Sequence, residues 1–210
     1  MSAPKSLPIV ILASGAGTNA RALIEHAQKN PDRLAVKALI SDRAGAPALE
    51  MAEKLGVPTH VINHNDEAAL LRLLKELKPS WALLAGYKRI VSDAFLKFFA
   101  DENLGARVIN VHPSLLPAYP GLGGYERAFR DGVKVAGVTV HFVNSELDAG
   151  LPILQEAFAR EEADTLESFS ARAQKIEHRL FCRVLDLAAS GALRIQETEN
   201  SRWVSLGSER

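Results

Sequence analysis

A repeated alternation of short apolar runs with helix-spaced stretches constrains this chain more than any other feature. Residues 7–13 form an apolar run that ends in Ser14-Gly15-Ala16-Gly17-Thr18-Asn19, after which Ala20, Leu23, Ile24 and Ala27 recur at helical spacing. The pattern then repeats, with strands expected at 34–41, 59–62 and 81–85 and helices at 47–55, 67–77 and 92–99. Strands separated by helices of this length need crossover connections, which implies a parallel sheet with right-handed βαβ units.

The pattern changes after residue 107. A strand carrying Asn110 and His112 runs into a proline-rich loop, and a helix is expected at 125–131. The alternating stretch 135–143, the polar turn 144–150 and the run 153–159 then read as an antiparallel hairpin. Asp164 and Thr165 open the longest helical pattern, which carries Leu166, Phe169, Ile176, Leu180, Val184, Leu187 and Ala188 on one stripe and ends at Gly191. The fold expected is α/β, a Rossmann-like open twisted sheet, mostly parallel with an antiparallel C-terminal portion and helices on both faces. One domain is expected over residues 1–195, followed by a short strand or loose tail at 196–210.

Charge excludes several function classes. Lys plus Arg and Asp plus Glu each total 25, so no general field draws the chain to nucleic acid or to an anionic membrane, and any anionic ligand needs a local site. The single cysteine, Cys182, excludes an internal disulfide and a thiolate metal cluster. His26, His60, His64 and His178 are scattered without metal-ligand spacing, so no metal is expected. The apolar run at 9–13 is too short for a signal peptide or a membrane span, which points to a cytoplasmic protein.

The first glycine turn admits two readings. Gly15-x-Gly17-x-x-Ala20 loosely fits a dinucleotide fingerprint, with Asp42 at the end of the second strand as the ribose acid, as in an oxidoreductase or a sensor. It also fits a phosphate-monoester site built from backbone N–H groups and a helix N-terminus. Ser14, Thr18 and Asn19 favour the monoester, because they add short hydrogen-bonding side chains at the turn.

Asn110 and His112 lie two apart on a strand and so project from one face at its C-terminal end, where open α/β sheets bind ligands. Pro113, Pro117 and Pro120 stiffen the loop that follows. Asp148, in the turn after a neighbouring strand, stands within reach of converging on them. An amide N–H and a protonated imidazole suit a developing oxyanion, and a carboxylate suits the movement of a proton, so the chemistry implied is acyl transfer.

The motifs SGAGTN at Ser14, LAGYKRIVS at Leu84, NVHPSLLPAYPG at Asn110, VHFVNSELDAG at Val140 and QKIEH at Gln174 resemble the phosphoribosylglycinamide formyltransferases, a branch of the folate-dependent formyltransferase family. The resemblance runs from Ile9 to Ile195. It implies transfer of the formyl group of 10-formyltetrahydrofolate, a co-substrate, to the amine of glycinamide ribonucleotide in purine biosynthesis. Asn110, His112 and Asp148 would be the catalytic set. Gly17, Thr18 and Asn19 would hold the ribotide phosphate, with Gln174 and Glu177 at its ribose and glycinamide end. Folate would lie against Lys88, Arg89, Ile90, Val91 and Asn110 and against Asn144, Ser145, Glu146 and Leu147. Small-molecule substrates, no nucleic acid or membrane partner, and a monomer or homodimer follow from the same resemblance. The alternatives are a 10-formyltetrahydrofolate hydrolase or a formyltransferase with another amine acceptor.

Three places depart from the family pattern. Gly123-Gly124-Tyr125 stands where many members carry His-x-His, the segment 63–66 is shortened and lacks an arginine, and Leu151-Pro152 displaces the proline that usually follows the LDxG glycine. Gly121 to Gly124 are expected to let the loop move.

Overall fold

The computed structural model describes residues 6–207. In chain order the elements are β1 (Leu7–Leu12), α1 (Thr18–Lys29), β2 (Leu34–Ser41), α2 (Pro47–Lys54), β3 (Thr59–Val61), α3 (Glu67–Leu77), β4 (Trp81–Leu84), α4 (Asp93–Phe98), β5 (Ala100–Asp101), β6 (Gly105–Ala106), β7 (Val108–His112), α5 (Gly124–Arg130), β8 (Val135–Phe142), β9 (Pro152–Ala159), α6 (Leu166–Ala189), β10 (Leu193–Thr198) and β11 (Ser201–Leu206). A seven-stranded sheet runs in the order β3-β2-β1-β4-β7-β8-β9. The pairs from β3 to β7 are parallel, whereas β8 is antiparallel to both β7 and β9.

Strand β1 lies at the centre because it is buried on both faces. Ile9 and Ile11 enter the core that packs under α1, α2 and α6, while Val10 and Leu12 enter a second core under α3 and α4. An unbroken apolar run is what a strand covered by helices on both sides requires. Strand order reverses beside β1, so the loops after β1 and β4 open around the switch point where such sheets bind ligands.

The domain boundary expected at 195/196 falls inside β10. Leu193 and Ala192 are buried, and Leu193 to Thr198 pair antiparallel with Ser201 to Leu206 across a tight turn at Glu199-Asn200. Ile195 and Val204 pack against the main core, while Trp203 and Leu206 stay exposed; the short strand expected in this segment is present as β11, paired with β10. Residues 1–5 and 208–210, within the expected domain and tail, lie outside the described residues. Among the described residues, no helix is long and apolar enough to cross a membrane.

Candidate active site

The loop after β1 leads into a helix start that no side chain caps. Gly17 caps α1 with φ 76°, a left-handed conformation, and a Cβ there would stand 2.7 Å from Cβ of Ala48, so only glycine fits. No side chain caps the first turn of α1 and it carries no acidic residue, which leaves backbone N–H groups and the positive helix end open to an anion. Thr18 is exposed beside them. Asn19 is buried, and its Nδ2 donates to Oε2 of Glu177 on α6 at 2.7 Å. Gln174 lies one turn before Glu177, on the same helix face, and is exposed.

Asp42 is not free to read a ribose, as the dinucleotide reading needs. Nε of Arg89 donates to its Oδ2 at 2.7 Å, and its side chain is fully buried. Burial alone would raise this carboxyl, but hydrogen bonds from Ser14 and Arg89 outweigh it and hold it below the ordinary carboxylate value. Ser14 also ties two loops together. Its N–H donates to the Gly86 carbonyl at 3.2 Å, and its Oγ accepts the Lys88 N–H at 3.0 Å.

At the end of β7 four side chains converge. Nε2 of His112 lies 2.8 Å from the Tyr119 carbonyl, which can only accept, so this nitrogen carries a proton. Nδ1 then faces Oδ2 of Asp148 at 3.2 Å. Asp148 holds a left-handed φ of 52°, and its Oδ2 also accepts the Gly121 N–H at 2.7 Å. Gly150 allows this turn to close, because a Cβ there would overlap the Phe142 carbonyl at 1.7 Å. The displaced Leu151-Pro152 is absorbed by a register shift between Val140 and His141.

The fourth member, His141, was not singled out by sequence reasoning. It stands directly opposite Asn110 in the antiparallel register of β7 and β8 and is 2% exposed. Its Nδ1 donates to the Phe142 carbonyl at 2.8 Å, so in the neutral ring Nε2 accepts from Nδ2 of Asn110 at 3.2 Å. Burial lowers the His141 pKa, only partly offset by that carbonyl and by Asp148, which keeps the ring neutral. His141 thereby fixes the orientation of the Asn110 amide and leaves its second N–H for a ligand. It is the antiparallel register of β7 and β8, seen only in the structure, that brings His141 to Asn110.

Asn110, His112, His141 and Asp148 line one cavity of about 400 Å³, together with Lys88, Arg89, Ile90, Val91, Asn144, Glu146, Leu147 and Gly121 to Gly123. Ser145 instead lines a neighbouring hollow with Asn144 and residues of α4. Ile90, Leu122 and Leu147 are exposed at the mouth and give it an apolar rim. Gly17, Thr18, Asn19, Gln174 and Glu177 lie outside this cavity, in the cluster at the start of α1. Gly124 is held rather than loose, since a Cβ there would stand 2.6 Å from the Pro113 carbonyl. Among the described residues no group of three or more His, Cys, Asp or Glu is arranged to hold a metal ion.

The formyl transferase family pattern matches residues 7–185. Phosphoribosylglycinamide formyltransferase of Escherichia coli is 36% identical over 203 residues, 93% of this chain and 92% of that protein. The chain belongs to the phosphoribosylglycinamide formyltransferase family. Among solved structures of this family, glycinamide ribonucleotide transformylase 1 from Symbiobacterium toebii superposes with a TM-score of 0.88 at 36% identity, covering 99% of this chain and 100% of that one. Trifunctional purine biosynthetic protein adenosine-3 of Bos taurus is 37% identical over 209 residues, 96% of this chain, and the chain spans 20% of that relative's length. A formyltetrahydrofolate deformylase from Pseudomonas syringae, at 22% identity and a TM-score of 0.84, shares the fold. Membership in the phosphoribosylglycinamide formyltransferase family agrees with the α/β sheet and with the motifs around Ser14, Asn110 and Asp148.

Proposed function

We propose that this enzyme transfers the formyl group of 10-formyltetrahydrofolate to the amine of glycinamide ribonucleotide. The observation that carries the reading is the convergence of Asn110, His112 and Asp148 on one cavity, whose Lys88 loop is tied through Ser14 to the loop that opens an uncapped helix N-terminus suited to a phosphate. The folate would occupy the apolar-rimmed cavity with its formyl carbon beside Asn110. The ribotide phosphate would sit on the N–H groups of Gly17, Thr18 and Asn19.

The ribotide amine attacks the formyl carbon, a C–N bond forms, and the carbonyl electron pair moves to oxygen. The second N–H of Asn110 stabilises that oxyanion, a preorganised donor of this kind contributing roughly 2.7–4 kcal/mol, and His112 stands beside it against Asp148. Asp148 accepts the proton that the amine loses, held by Gly121 at the place where it can do so. Collapse breaks the bond between the formyl carbon and the folate nitrogen, and that nitrogen takes up a proton. His141 takes no part in bond making; it keeps the Asn110 amide turned the right way.

Purified protein given both substrates is expected to form tetrahydrofolate only when the ribotide is present, with formylated ribotide in equal amount. Folate turnover that ignores the ribotide, with formate as product, would instead indicate a hydrolase and end this reading.

A further inference from the structure

Tyr125 is the residue that replaces a histidine in the family pattern, and its hydroxyl has a specific partner. It is 8% exposed at the start of α5 and donates to Oε1 of Glu177, which is itself 7% exposed on α6. The other carboxylate oxygen accepts from Asn19 of α1. Two elements far apart in sequence, α1 and α5, thus hold one buried carboxylate of α6. Burial, and then the Glu177 charge, push the Tyr125 phenol up, so it stays protonated and serves only as a neutral donor. Glu177 is thus met by two neutral donors, one on each carboxylate oxygen.

What remains unsatisfied in this cluster is all of one kind. Asn19 is 8% exposed and its Oδ1 is buried without a partner. Each Glu177 oxygen has accepted one hydrogen bond and can accept another. Buried acceptors without donors are costly, and the group that relieves them must bring O–H or N–H. Adjacent hydroxyls of a sugar have that character, and a sugar joined to the phosphate on the α1 N-terminus would lie beside Asn19.

We infer that Tyr125 is a positioning residue that fixes the Glu177 carboxylate to read the sugar hydroxyls of the acceptor, and that it ties this reader to the catalytic strand. The tie runs through Gly124, which abuts the Pro113 carbonyl next to His112. Because it rests on the ribotide reading above, this inference deepens it by naming what sets acceptor affinity.

The test is steady-state kinetics with glycinamide ribonucleotide on Tyr125→Phe, which keeps the ring and removes only the hydroxyl. The KM for the ribotide should rise about tenfold, with kcat within about twofold and the KM for 10-formyltetrahydrofolate unchanged. In a Glu177→Ala background the same change should have almost no further effect, because two residues acting through one contact are not additive. Tyr125→His, which restores a ring donor, should recover much of the ribotide affinity, and it also serves if the phenylalanine variant does not fold. An unchanged ribotide KM in Tyr125→Phe, or effects of Tyr125→Phe and Glu177→Ala that multiply, would overturn the inference. Ribotide-dependent turnover by the unaltered enzyme separates that failure from a failure of the acceptor reading itself.

Discussion

Gly17 to Asn19 reach their position through a loop at the end of a parallel strand, whereas Asn110 and His141 meet because two antiparallel strands set them face to face. In the parallel part the groups offered to a ligand are largely backbone N–H at an uncapped helix start. In the antiparallel part the working atoms are side chains whose spacing is set by strand register and by the tight turn through Asp148 and Gly150. The first arrangement suits holding an anion; the second suits holding protons and an oxyanion in fixed geometry. Binding and chemistry should therefore separate when each part is altered.

The largest effects belong to the antiparallel part. Asn110→Ala should lower kcat by about 10²- to 10³-fold, the usual consequence of losing an oxyanion donor. Ribotide KM should change far less, and near-normal kcat would remove Asn110 from the chemistry. Asp148→Asn should lower kcat by at least about 10²-fold. An unaltered rate would break the assignment of Asp148 as proton acceptor.

Gly17→Ala tests the parallel part. The added Cβ would press on Ala48 at 2.7 Å in a backbone with positive φ, and the loop must shift to accept it. Ribotide KM should rise about tenfold while kcat stays within about threefold. A fall in kcat with no change in KM would show that the two parts are not separable.

The smallest effect concerns His141 and pH. Its folded pKa lies below the ordinary 6.5, so as pH falls below that value the unfolded chain takes up a proton that the folded chain resists. Stability falls in that window, and His141→Gln should make the fall shallower. Urea midpoints at pH 7.5 and about pH 5.5 measure it; parallel losses in both proteins would mean that other groups carry the acid sensitivity.

The sheet's parallel part was readable because local signals agreed with the tertiary answer. The expected strand 34–41 and helix 67–77 match Leu34–Ser41 and Glu67–Leu77, the helix being opened by Asp66, whose side chain accepts the Ala69 N–H. Strands β5 and β6 were unreadable, since two residues each carry no period. Strand β11 falls in the segment expected as a short strand or tail, whereas its partner β10 was not expected, since the long helix was followed directly by the domain boundary. Asn110, His112 and Asp148 could be singled out from spacing and turn chemistry. His141 could not, because its role comes from a cross-strand pairing that is not written locally. Tyr125 and Glu177 are 52 positions apart, and nothing in either segment alone announces their contact.

The packing of Gly124 on Pro113 has a practical bearing on recombination. Exchanging the loop between these two positions for that of a relative would bring in a partner chosen for a different first residue of α5. A graft whose junction lies after Tyr125 would transfer both sides of the joint at once, and with them whatever acceptor preference that joint enforces.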